Sequence, residues 1–254
     1  MYAPRLAVSF YGGAAETAAS FAALEALVSQ GFALARVSAI GMSAAGAALF
    51  LAGTAAGVAA ECAVPGGLEG AAARVLPTLA GLTLSGLTVP LTAAFADART
   101  GKTVFFGERA LGKTATDSSL FLPDAPLEDI LLAAACPWER DAPLETSFGA
   151  LCGVPTAAGI RYVMSGALRE REDAALHIIF APPRPCAERP QRFCPRLSQL
   201  MSGDMLALAG TPGGYRLLLC PRAEALSAFD SVRSAVLQES ERIALYCLNG
   251  KSVV

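Results

Sequence analysis

Short apolar runs alternate along the chain with longer alanine-rich or amphipathic stretches, and glycines stand at the joints. Arg5 to Phe10 reads as a short buried strand, and Tyr11-Gly12-Gly13 as a turn. Glu16 to Gln30 reads as a helix, with Phe21, Leu24, Leu27 and Val28 on one face and Gly31 as its stop. Ala35 to Ile40 reads as a second strand and Ser43 to Ala60 as an alanine-rich helix. This rhythm of strand, glycine turn and helix predicts an α/β fold built on a mainly parallel sheet flanked by helices.

Further along, Leu91 to Ala96 and Thr103 to Phe106 predict a hairpin across Arg99-Thr100-Gly101. Pro126 to Ala135 predicts a short helix that stops before Pro137. Arg161 to Met164 and Leu176 to Phe180 read as two more strands. Pro182 to Pro195 is a proline-rich loop. A helix around Leu197 to Ala209, a strand at Tyr215 to Leu219 and a closing helix from Ala223 to Tyr246 follow. The expected organisation is an α/β core over 1–181, a loop over 182–195, and a C-terminal portion over 196–254 packed on the same domain.

Composition sharpens this picture. Of 254 residues, 52 are alanine, and 30 of those lie in the first hundred positions. Only seven charged residues occur before Asp97: Arg5, Glu16, Glu25, Arg36, Glu61, Glu69 and Arg74. A chain of this length buries a core without staples, and 54% apolar residues against 17% charged exclude intrinsic disorder. The net charge of −2, with no basic run, argues against nucleic-acid binding through a charged footprint. The single histidine, His177, leaves no obvious zinc site and makes a Ser–His–Asp triad hard to assemble. Seven scattered cysteines without a C-x-x-C pair read as buried free thiols of a cytoplasmic protein.

Two uncharged stretches, Val37 to Ala60 and Val75 to Ala96, are long enough to suggest membrane spans. The first opens on a strand-like piece and turns at Gly41; the second contains Pro77 and Pro90. Neither has aromatic belts or basic flanks, so both are expected to be core segments. The N-terminus lacks a signal-peptide pattern.

Two strand–helix junctions carry candidate chemistry. Gly41-Met42-Ser43-Ala44-Ala45-Gly46 places a serine on a sharp turn with small neighbours, the pattern of a nucleophile elbow. The helix N-terminus there favours developing negative charge, although Ser43 as a simple helix cap fits the same letters. Gly12-Gly13 after the first strand offers backbone N–H groups on the same edge of a parallel sheet. A third match, Gly107-Glu108-Arg109-Ala110-Leu111-Gly112-Lys113-Thr114, spells a phosphate-binding P-loop. The residues after Thr114 lack helical periodicity, so it reads as a surface loop, and nucleotide binding stays a remote alternative.

With those two junctions in order, the chain resembles the patatin-like phospholipase family. Gly12-Gly13-Ala14-Ala15-Glu16-Thr17 aligns with the family's G-G-G-x-R-G. Leu24, Leu27 and Gly31 match its L-x-x-L-x-x-x-G, and Gly41-Met42-Ser43-Ala44-Ala45 matches its G-x-S-x-G. Asp97-Ala98-Arg99-Thr100-Gly101-Lys102 matches a D-x-x-T-G-K hairpin, and the alanine-rich run from Leu131 to Pro137 also recurs. The resemblance covers about residues 5 to 181. It implies a three-layer acyl-hydrolase architecture, with Ser43 as nucleophile and backbone amides of Gly12, Gly13 and Ala44 as the oxyanion hole. It implies a lipid or acyl-ester substrate or ligand, no cofactor and no metal; it leaves peripheral membrane contact and oligomeric state open.

The chain departs from the family at two places. Ala14 and Glu16 stand where the family has a third glycine and an arginine. After Arg161-Tyr162-Val163, where the family has the aspartate of its D-G-G/A motif, this chain has Met164-Ser165-Gly166. A serine without a base is a weak nucleophile. Asp97, Asp173 and His177 are the candidate substitutes. The expectation is therefore an impaired serine acyl hydrolase, with a non-catalytic lipid-binding or regulatory protein as the alternative.

Overall fold

The computed structural model describes residues 4–12, 16–61, 75–107, 120–136, 142–154, 156–164, 174–180, 214–219 and 225–249. In chain order these form β1 (Arg5–Gly12), α1 (Glu16–Ser29), β2 (Ala33–Ile40), α2 (Met42–Leu51), α3 (Ala56–Glu61) and α4 (residues 75–79). There follow β3 (Leu91–Asp97), β4 (Thr103–Phe106), β5 (Leu120–Leu122), α5 (Leu127–Ala135), β6 (Leu144–Thr146) and β7 (Gly149–Cys152). The remaining elements are α6 (Ala157–Met164), β8 (Ala174–Phe180), β9 (Tyr215–Leu219) and α7 (Ala225–Asn249).

The main sheet runs β5-β4-β3-β2-β1-β8-β9, with β7 paired to β3 and β6 to β7. Strands β3, β2, β1, β8 and β9 are mutually parallel, and β4 turns back antiparallel on β3 as the expected hairpin. The central strands are buried on both faces, which is why they read as apolar runs rather than alternating ones. On one face, Phe10, Val37, Ala39, Ala93 and Phe106 pack under α1, α2, α5 and α7. On the other, Tyr11, Ile40, Ala94 and Phe105 pack under Ile160, Tyr162 and Val163 of α6. The protein is thus an α/β fold: a mixed, mostly parallel sheet with helices on both sides.

Gly31 ends α1 as the sequence predicts. At the end of α1, Gly31 takes φ 82°, its N–H donates to Val28 O at 3.0 Å, and the Phe32 N–H donates to Leu27 O at 3.2 Å. This is a Schellman closure, which uses a left-handed glycine to satisfy the last carbonyls. The same closure corrects one expectation. The stretch from Ser43 to Ala60 is two helices, because Gly53 takes φ 74° and the N–H groups of Gly53 and Thr54 cap Phe50 O and Leu49 O, each at 3.0 Å. A Cβ at Gly53 meets nothing within 4 Å, so Gly53→Ala isolates the backbone cost. Thermal unfolding should report a loss of about 1 kcal/mol, the cost of a left-handed non-glycine residue.

Two further expectations are corrected. Arg161 to Met164 is the end of helix α6 and not a strand. Thr156 caps that helix, its Oγ1 accepting the Gly159 N–H at 2.9 Å, and its hydroxyl also bonds Thr103 Oγ1 at 2.6 Å. Tyr162 then sets its ring 4.6 Å from Phe105 and 5.5 Å from Phe121, so tertiary packing overrides the strand-like Tyr-Val pair. Tyr11 and Gly12 are strand and not turn, paired with Ile179 and Phe180 of β8. The proline-rich loop and the helix expected over Leu197 to Ala209 lie outside the described residues. Among the described residues, no helix is long and apolar enough to cross a membrane.

Candidate functional site

The site is built where parallel strands end. Phe10 of β1 is level with Ala39 of β2, so Gly12 and Gly41 stand beside each other at the carboxyl edge of the sheet. Parallel α/β sheets form their sites on this edge. The register therefore brings together the two glycine junctions that the sequence singles out; Gly13 lies outside the described residues.

Between β2 and α2 the chain turns on one residue. Gly41 has φ 68° and ψ −141°, a conformation that a side chain resists, and it is the residue that caps α2. Ser43 is therefore not the cap; it is the second residue of the helix. Ser43 thus lies inside the helix and not at the strained position of the turn. Its side chain is fully buried. The N–H of Ala44, an expected oxyanion donor, donates to Gly41 O at 3.1 Å.

Small residues in this motif have a packing cause. Helix α2 is buried from Met42 to Leu49 and crosses α1 in direct backbone contact. Ser20 Oγ donates to Ser43 O at 3.1 Å, and Thr17 Oγ1 donates to Met42 O at 3.3 Å. A Cβ added at Gly46 would lie 2.1 Å from Thr17 O and 2.2 Å from Ser20 Oγ. Gly46 is required for the two helices to approach this closely.

Of the candidate bases, Asp97 is held at the end of β3. Its carboxylate accepts the N–H of Arg99 at 3.2 Å and of Ala150 at 3.1 Å, as well as the Thr100 hydroxyl. Burial pushes its pKa up, but the hydrogen bonds from Thr100, Arg99 and Ala150 outweigh it and hold the group below the usual carboxylate range. Gly149 lies against the carboxylate, where a Cβ would come within 2.9 Å of Cγ. The D-x-x-T-G-K string is thus a turn clamp that joins the hairpin to β7. Asp173 lies outside the described residues.

His177 sits in the middle of β8, buried, on the face that α6 covers, whereas α2 packs on the opposite face. The sheet therefore stands between His177 and Ser43. His177 belongs to a row that sequence reasoning missed. Thr92, Ser38, Ser9, His177 and Arg216 are consecutive register partners across β3, β2, β1, β8 and β9. Ser9 Oγ donates to Val163 O at 3.0 Å, and Ser38 Oγ donates to Ser9 Oγ at 3.0 Å. These hydroxyls bind a carbonyl in the last turn of α6, which the helix itself leaves unsatisfied. The sequence signal was a polar residue inside each apolar strand, but only the register aligns them.

The P-loop string begins at Gly107, whose N–H donates to Leu122 O at 2.8 Å. A Cβ there would lie 2.8 Å from Thr92 Oγ1, so this glycine serves strand packing. Residues 108–119 lie outside the described residues. Among the described residues, no group of three or more His, Cys, Asp or Glu is arranged to hold a metal.

No protein-family model matches the chain, and no curated protein does. Among solved structures, the chain is similar to a chain of the heterodimeric complex ExoU–SpcU from the type III secretion system of Pseudomonas aeruginosa, at 14% identity and a TM-score of 0.44. The match covers 95% of this chain and 52% of that one, so the chain spans about half the length of this neighbour.

Proposed function

We propose that this chain is a patatin-like α/β protein that binds a lipid or acyl-ester ligand without turning it over. The order of its motifs from Gly12 to Lys102 supports the patatin-like relation, and the adjacent ends of β1 and β2 agree with it. One observation carries the non-hydrolytic part. The strained position of the elbow, from which a nucleophile would project, is Gly41, and Ser43 is enclosed in α2 two residues further on. The use of the Ala44 N–H within the helix points the same way, since an oxyanion hole needs donors aimed at the developing charge.

A fluorophosphonate probe should leave Ser43 unlabelled in the folded protein, with p-nitrophenyl ester hydrolysis equal in the wild type and Ser43→Ala. Binding of a fatty acid, measured by calorimetry, should persist in both. Ser43-dependent labelling or turnover would overturn this reading in favour of the second one, a serine acyl hydrolase that uses Ser43 with amides of Gly12, Gly13 and Ala44. That alternative is favoured by the place of Ser43 in the first turn of α2, at the positive end of the helix dipole.

A further inference from the structure

Away from that edge, two cysteines distant in sequence meet. Cys136 follows the last residue of α5, and Cys152 ends β7 opposite Ala96 of β3. Both are fully buried, in a small cluster with Ala96 and Val154. Their backbones are locked side by side: the Gly153 N–H donates to Cys136 O at 2.6 Å. A Cβ at Gly153 would fall 2.8 Å from Ala134 O, so the glycine allows β7 to press against the end of α5. Cys152 Sγ donates to Ala96 O at 3.5 Å.

We propose that Cys136 and Cys152 are a redox-sensitive pair that closes to a disulfide under hydrogen peroxide, tying the end of α5 to β7. A disulfide requires two cysteines whose backbones already lie close, and the Gly153–Cys136 hydrogen bond and the shared buried cluster put them side by side. Full burial shuts out proteins and glutathione-sized thiols and leaves a water-sized peroxide as the oxidant. The Cys152 thiolate attacks one peroxide oxygen and the O–O bond breaks. The leaving hydroxide takes a proton to become water, and Cys152 is left as a sulfenic acid. The Cys136 sulfur then attacks the Cys152 sulfur, the S–O bond breaks, and the Cys136 proton leaves with the hydroxyl as a second water. In sum two thiols and one peroxide give one disulfide and two waters.

The electronic setting agrees with this order. Hydrogen bonding from Cys136 lowers the Cys152 pKa against the effect of burial, which is the direction that yields thiolate. Cys247 in α7 shows the contrast: burial pushes its thiol up to about 11.

The test is peptide mapping of the full chain after treatment with stoichiometric hydrogen peroxide, alkylation in denaturant and digestion without reductant. The expected result is a Cys136–Cys152 cross-linked peptide as the main product, absent from Cys136→Ser and Cys152→Ser. Closing this short loop should also raise the unfolding midpoint by about 5 °C, and reduction with dithiothreitol in denaturant followed by refolding should remove the gain. Recovery of both cysteines as alkylated thiols would overturn the proposal. So would pairing with Cys62, Cys186, Cys194, Cys220 or Cys247 instead, or sulfinic acid at Cys152 without a cross-link. Should the serine variants fail to fold, the wild-type map decides alone.

Discussion

Replacing Gly46 by alanine should destabilise the protein by about 3 kcal/mol or more. The added methyl would sit 2.1 Å from the carbonyl oxygen of Thr17 and 2.2 Å from the Ser20 hydroxyl oxygen. Ser20 can rotate away, at the loss of its bond to Ser43 O. Thr17 O is backbone inside α1, so relief requires the two helices to separate. Separation opens the close packing of Phe21, Ala44, Ala47 and Ala48, all buried in the same core. Alanine is the better helix former by about 1 kcal/mol, so steric conflict must exceed that gain for the prediction to hold. Denaturant unfolding of Gly46→Ala measures the balance. Ser20→Ala should cost only about 1 kcal/mol, and adding it to Gly46→Ala should not restore stability, because the backbone contact remains. A neutral or stabilised Gly46→Ala would refute the packing account of this motif.

Asp97→Ala should cost about 3 kcal/mol. It removes the acceptor for the Arg99 and Ala150 amides and the Thr100 hydroxyl, and it leaves the Ala150 N–H buried without its partner. Asp97→Asn keeps one amide oxygen for those donors and should cost about 1 kcal/mol. The charge adds a pH signature. The folded-state pKa of Asp97 lies below the unfolded value of about 3.9. Its contribution is therefore complete above about pH 4 and is lost as pH falls through the depressed folded-state value. The stability gap between the wild type and Asp97→Asn should close over that acidic window. A gap independent of pH would show that the charge of Asp97 plays no part in the clamp.

Much of this architecture can be read along the chain. The apolar runs at Arg5 to Phe10, Ala35 to Ile40 and Leu91 to Ala96 announce the buried strands β1, β2 and β3. Gly31 ends a helix where the sequence says it should, because a left-handed closure is a local property. Helix α6 escaped the reading. Its Tyr162-Val163 pair has strand character, and the decisive signals are a capping Thr156 and an aromatic seat made by Phe105 and Phe121. The cap is visible in the sequence; the seat is assembled from β4 and β5 only when the chain folds.

The serine motif divides along the same line. By itself, the sequence determined that a sharp turn at Gly41 leads into a buried, alanine-rich helix, and that small residues are needed around it. Tight helix crossing and a catalytic elbow make the same demand for small residues, so the letters could not separate them. The tertiary structure assigned the strained conformation to Gly41, the burial to Ser43 and the close contact to Gly46. It also decided which polar groups meet: Asp97 with Ala150, and Ser9 with Ser38 and Val163. Those partners are far apart in the chain, and strand register, which depends on the whole sheet, is what brings them together.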